Sequence, residues 1–194
     1  MSTVFIIHGI YGHTKENWLP WLKKELIKKG YSVIIPQFPK TKHQHLSDWI
    51  KVLDKHKNYI KDDVIFIGHS LGGAFILNIL QAKKAAKTIL VACVTGPLKN
   101  IFDPFMKDIT HRKFDFKKIR ENCKRIHLVA SDNDPYVPIK KSLTLAKKLK
   151  ITPVILKNAG HINSSSGYKK LPLILKHFKN VKPIKKGSRK TKKS

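Results

Sequence analysis

The run Gly68-His69-Ser70-Leu71-Gly72 sets a hydroxyl between two glycines at the spacing G-x-S-x-G. A serine becomes a nucleophile in this pattern when the turn is too tight for flanking side chains and lifts Oγ clear of the backbone. The neighbouring residues predict that setting. Val64 to Ile67 reads as a short buried strand and Ala74 to Lys84 as a helix. The hydroxyl then stands at a helix N-terminus, where free N–H groups and the helix dipole favour negative charge. The chemistry this serves is acyl transfer. The same run lacks the Lys-Ser/Thr pair of a phosphate-binding loop, which excludes an NTPase.

A serine needs a base, and the base needs an acid to orient it. In a strand–elbow–helix setting these follow in the order Ser, Asp or Glu, His, each just past a later strand. After Ser70 the acids are Asp103, Asp108, Asp115, Glu121, Asp132 and Asp134. Only the last two directly follow an expected strand, Ile126 to Ala130. Asp134 is favoured because Pro135 and Pro138 stiffen the loop behind it; Asp132 reads as a loop-capping acid. The remaining histidines are His161 and His177. His161 follows a strand at Pro153 to Leu156, with Gly160 giving it room, whereas His177 falls within an expected last helix. The expected catalytic set is therefore Ser70, Asp134 and His161.

The developing oxyanion requires backbone donors. One is the N–H of Leu71. The second is expected from the loop His8-Gly9-Ile10-Tyr11-Gly12, with Ile10 favoured and Gly9 and Tyr11 as rivals. His8 reads as a brace for that loop. The long connection from Gly96 to Asp115 is a candidate lid. Phe102, Phe105 and Met106 from it, with Tyr11, Trp18 and Tyr136, are the candidate substrate-binding residues, lining an apolar acyl pocket; the competing reading is that these side chains pack the loop down. His43 and His45 have no companion thiol or carboxylate, and no metal or organic cofactor is expected.

The elements that must position these groups are short apolar runs alternating with amphipathic segments. Strands are expected at Val4 to Ile7, Ser32 to Ile35, Val64 to Ile67, Thr88 to Val94, Ile126 to Ala130 and Pro153 to Leu156. Helices are expected at Trp18 to Lys29, from Ser47 through Ile60, and at Ala74 to Lys84, Phe116 to Cys123, Ile139 to Lys150 and Tyr168 to Phe178. In the first of these, Trp18, Leu22, Leu26 and Ile27 share the inward face. This alternation implies a three-layer α/β/α sandwich on a mostly parallel six-stranded sheet, with its functional loops at the carboxyl edge. Residues 1–181 are read as a single domain. From Lys182 to Ser194 apolar periodicity is lost, and the stretch is read as a disordered basic tail.

Within that frame the chain resembles the α/β-hydrolases, and more narrowly the small serine hydrolases of the YdeN and retinoblastoma-binding-protein-nine family. The resemblance spans Val4 to about Phe178. It rests on Trp18-Leu-Pro-Trp-Leu-Lys-Lys-Glu-Leu26, Gly68-His-Ser-Leu-Gly72, Ile119-Arg-Glu-Asn-Cys123, Ser131-Asp-Asn-Asp-Pro-Tyr-Val-Pro138 and Gly160-His161. It implies a minimal α/β-hydrolase fold without a large cap domain, a Ser70–Asp134–His161 triad, and no metal or organic cofactor. The Leu-x-Cys-x-Glu string tied to retinoblastoma binding is missing, so that partner is not carried over.

Charge is the outlier: 40 Lys and Arg against 12 Asp and Glu, a formal +28. Nearly all the cations are Lys, whereas specific readers of phosphates and bases favour Arg. The expected function is a serine hydrolase acting on a small-molecule acyl substrate. The alternative is a non-catalytic binding protein on the same fold, its basic surface and tail meeting nucleic acid or anionic lipid. Two cysteines cannot make a disulfide framework, no run is long enough for a transmembrane segment, and the N-terminus has no signal-peptide pattern. The expected location is cytoplasmic; the oligomeric state is open.

Overall fold

The structure, a computed structural model, describes residues 2–180. The stretch expected to form a basic tail lies outside the described residues. Six strands form one sheet: β1 (Thr3–Ile7), β2 (Ser32–Ile34), β3 (Ile65–His69), β4 (Lys87–Val91), β5 (Ile126–Ser131) and β6 (Val154–Leu156). Their order is β2-β1-β3-β4-β5-β6, and every neighbouring pair is parallel. Parallel strands need crossovers, and helices supply them: α1 (Leu19–Lys28), α2 (Leu46–Asp54), α3 (Leu71–Ile79), α4 (Asp103–Thr110), α5 (Phe116–Asn122) and α6 (Ile139–Leu149).

Side chains alternate across a strand, so each strand feeds two cores. Val4 and Ile6 of β1 pack with Leu19, Leu22 and Leu26 of α1 and with Ile174 and Phe178. Phe5 and Ile7 point the other way, into a core with Trp49 of α2, Phe75 of α3, Met106 of α4, Ile119 of α5 and Leu145 of α6. These are the three layers of an α/β sandwich. They leave the carboxyl ends of the strands open at one edge.

Four local expectations change. The helix expected through Ile60 ends at Asp54 and is followed by a separate 3-10 turn at Lys57–Tyr59. The connection after β4 is not irregular throughout, because Asp103 and Pro104 start an eight-residue helix, α4. The last expected helix is a 3-10 turn over Pro172–His177. The spacing of buried Leu171 and Ile174 fits a turn of three residues as well as one of 3.6. Ile27 is half exposed and leaves the inward face of α1 to Leu19, Leu22 and Leu26.

Candidate active site

The polypeptide turns at Ser70 between β3 and α3 with φ 54° and ψ −119°. A non-glycine residue at positive φ is strained, and such strain persists where surrounding structure fixes it. The glycines on either side make room. A Cβ at residue 68 would lie 2.7 Å from the backbone of Gly72 and Gly73, and one at residue 72 would lie 2.5 Å from the carbonyl oxygen of Ile7. The strain thus sits on the serine, and the glycines answer close packing. The loop after β1 lies against the nucleophile too: a Cβ at residue 9 would come within 3.2 Å of Ser70 Cβ and 3.6 Å of its Oγ.

β5 ends in Ser131, and the next residues hold a carboxylate in place. Asp134 Oδ1 accepts from the N–H groups of Tyr136 (2.9 Å) and Val137 (3.0 Å). Its Oδ2 lies 2.8 Å from His161 Nδ1. The Asp134 side chain is 2 % exposed and that of His161 9 %. A buried carboxylate this close selects the imidazole tautomer with its proton on Nδ1 and leaves Nε2 as a base.

The histidine loop is tied to the aspartate loop along four successive residues. Ser131 Oγ accepts from the N–H of Ala159 (3.0 Å), Asp132 Oδ1 from Asn158 (2.8 Å) and Asn133 Oδ1 from Gly160 (2.8 Å). Asp134 then meets the His161 ring. Asn158, Gly160 and Ile162 all have positive φ, so the loop doubles back sharply around His161. From the far side, the indole N–H of Trp18 donates to the carbonyl of Ile162 (2.9 Å). His69 Nε2–H donates to the carbonyl of His161 itself (2.9 Å). Burial, aided by the neighbouring His161, pushes the His69 pKa down to about 3, so this ring is neutral. Its Nδ1 has no partner among the described residues.

Ser70 and His161 open onto one cavity of about 260 Å3. No hydrogen bond joins them among the described residues; serine–histidine contacts commonly tighten only when substrate arrives. Ile10, Tyr11, Phe102, Met106 and Tyr136 line this cavity. Tyr136 and His161 meet edge to face at 5.0 Å. Trp18 does not line it, contrary to expectation: it is fully buried beneath His69, with its N–H engaged by Ile162. Phe105 does not line it either. On α4 it turns away from its neighbour Met106 and packs on His43 (5.4 Å). His8 donates from Nδ1 to the carbonyl of Gly9 (2.8 Å) and accepts at Nε2 from the N–H of Phe38 (3.1 Å), which fixes the loop. Burial lowers its pKa, and the N–H of Phe38 on Nε2 fits a neutral ring.

Residues 4–180 match the family model described as serine hydrolase. The chain belongs to the serine hydrolase family. Its similarity to YdeN of Bacillus subtilis (strain 168) is 30% identity over 173 residues, covering 88% of this chain and 91% of that protein. The serine hydrolase RBBP9 of Rattus norvegicus is 23% identical over 149 residues, covering 76% of this chain and 79% of that protein. The crystal structure of the B. subtilis ydeN gene product superposes with a TM-score of 0.84 at 28% identity, covering 91% of this chain and 96% of that one. Est1E from Butyrivibrio proteoclasticus, at 16% identity and a TM-score of 0.64 over 83% of this chain and 80% of that one, shares the fold. The architecture of this serine hydrolase is thus that of the α/β-hydrolases.

His69, Ser131 and Asn133 have roles that the sequence expectations do not include. The signal for the last two was present: four small polar residues, Ser131-Asp132-Asn133-Asp134, stand at the end of an apolar run. For His69 the signal was its place beside the serine. His43 and His45 stay outside the cavity lining. Among the described residues no group of three or more potential metal ligands comes together, and no helix is long and apolar enough to cross a membrane.

Proposed function

We propose that the chain cleaves a small carboxylic ester, thioester or amide through an acyl-enzyme. The observation that carries this reading is the 2.8 Å contact between His161 Nδ1 and Asp134 Oδ2 at the cavity that Ser70 also lines. As substrate enters, Ser70 Oγ turns toward Nε2, gives up its proton to the imidazole and adds to the carbonyl carbon. Asp134 holds the ring and stabilises the imidazolium. The oxyanion is received by the N–H groups of Leu71 and Ile10, neither of which donates to another described residue; each such donor is worth about 3 kcal/mol. Collapse expels the alcohol, thiol or amine, which takes the proton from Nε2. Water then gives a proton to Nε2 and attacks the acyl carbon, and a second collapse frees the acid and restores Ser70.

The apolar part of the substrate lies along Phe102 and Met106, and a cavity of about 260 Å3 suits a small molecule. The buried, free Cys93 and Cys123 suit a reducing, cytoplasmic setting. A fluorophosphonate probe should label the wild type and spare Ser70→Ala. Turnover of p-nitrophenyl esters should peak at short acyl chains. Undiminished labelling of Ser70→Ala would defeat the assignment. An unlabelled wild type that instead binds nucleic acid, with affinity falling steeply with salt, would establish the binding-protein alternative.

A further inference from the structure

One charged side chain in the cavity has no part in the chemistry above. Glu16, between β1 and α1, lines the same space as Ser70 and His161. In a chain with 40 Lys and Arg and 12 Asp and Glu, an acid has basic neighbours in excess. Other acids use them: Glu25 pairs with Lys28 (2.8 Å), Asp48 with Lys51 (3.1 Å) and Asp108 with Arg112 (3.6 Å). Glu16 makes no ion pair among the described residues, and no Lys or Arg lines the cavity.

The polar acceptors beside it are already engaged. Asn17 Oδ1 accepts from the N–H of Ser164 (2.9 Å), and Asn163 Oδ1 accepts from the hydroxyls of Ser165 (2.8 Å) and Ser166 (3.0 Å). The Glu16 carboxylate, which accepts from the backbone N–H of His13, is the charged acceptor on that side. It is seated over Gly12, where any side chain would collide with it. Burial raises its pKa, while the backbone and ring of His13 and the charge of Lys40 pull the other way. A half-buried carboxylate gains when a cation meets it. The walls also differ. Glu16 and Asn17 lead into Trp18 and the core on the α1 face, whereas Phe102 and Met106 belong to the core on the other face of the sheet.

We propose that Glu16 receives an ammonium group of the substrate, so that the preferred substrates are esters, thioesters or amides bearing a primary or secondary amine. This rests on the hydrolase reading and deepens it. The ammonium meets the carboxylate on one wall while the apolar part of the molecule lies on Phe102 and Met106. The net positive charge of the protein does not attract such a substrate from a distance; salt screens that field within about 10 Å, so the selectivity is one of contact.

The test uses matched pairs with the full chain at fixed ionic strength. Alanine benzyl ester against benzyl propionate carries the amine on the acyl side; 4-(aminomethyl)phenyl acetate against 4-ethylphenyl acetate carries it on the alcohol side. The wild type should favour the ammonium member of at least one pair by tenfold or more in kcat/KM. Glu16→Gln, checked for an unchanged Tm, should reduce kcat/KM for that member at least tenfold more than for its neutral partner. Turnover without preference, or an equal loss on both members in Glu16→Gln, overturns the role of Glu16 and leaves the hydrolase reading standing. If no ester turns over but the fluorophosphonate probe labels Ser70, protection of Ser70 by benzylammonium and not by benzyl alcohol supports the proposal, and equal or no protection overturns it. Neither turnover nor labelling overturns both readings.

Discussion

Trp18 and Ile162, 144 positions apart, are joined by a 2.9 Å hydrogen bond from the indole N–H to the carbonyl oxygen. Ile162 follows the candidate base and has φ 51°, an outlying conformation for a β-branched residue. The bond therefore holds a strained peptide next to His161. Trp18→Phe keeps most of the ring and removes the donor, leaving a buried carbonyl unpaired. The expected cost is about 1–3 kcal/mol, seen as a lower Tm, with a fall in kcat as the His161 loop loosens. A lower Tm with unchanged kcat would show that the indole serves packing alone.

Asp134→Asn keeps the shape of the side chain and exchanges a carboxylate for an amide facing His161 Nδ1. The wrong tautomer is then favoured, and kcat should drop roughly 10^4-fold with the fold intact. Asp132→Asn is the contrast. An amide oxygen still accepts from Asn158 N–H, so kcat should change by less than about tenfold. Comparable losses in the two variants would remove the distinction between the neighbouring acids.

Gly72→Ala adds a methyl 2.5 Å from the Ile7 carbonyl and 2.6 Å from that of His8, both main-chain atoms that cannot swing aside. The expected result is loss of soluble folded protein or a destabilisation of more than about 3 kcal/mol. Gly167→Ala meets nothing within 4 Å, although φ is 86° there, and should cost about 1 kcal/mol. Urea midpoints of the two variants measure the difference.

His69 gives acid sensitivity to stability. Its folded pKa of about 3 lies below the ordinary histidine value of 6.5, so between these pH values the unfolded chain binds the extra proton. Stability is complete above about pH 6.5, declines as the pH falls toward 3 and levels off below. At pH 4.5 the loss from this group is roughly 3 kcal/mol. His127, lowered to about 4 by burial and by the adjacent His177, adds to the decline in the same direction. Unfolding midpoints from pH 7.5 to 4 should show the slope, and His69→Gln should flatten it.

How far the sequence could be read depended on how local each signal was. Ser70, Asp134 and His161 each lie in the connection that follows an apolar run, so topology alone brings them to one edge of the sheet. The α4 helix is hard to see in the sequence because Lys107 and Asp108 interrupt its short apolar side, although Asp103-Pro104 is a good start signal. Without that helix Phe105 and Met106 are equivalent. On a helix adjacent residues diverge by about 100°, and only Met106 turns inward. Trp18 reads as a pocket residue from sequence because it is aromatic and near the right loop. Its actual partner lies at the other end of the chain, beyond any local pattern.

The Tyr31 hydroxyl donates to the Lys179 carbonyl, and Lys29 Nζ donates to Asn180 Oδ1. Tyr31 directly precedes β2, so Lys179 and Asn180 lie at the amino rim of the sheet. The Ser70 opening is at the opposite rim, a strand length of about 17 Å away. A tether grafted at Asn180, whether to a bead, an electrode or a fused carrier, would hold the molecule with its mouth facing outward. Immobilisation through that point should leave substrate entry unobstructed.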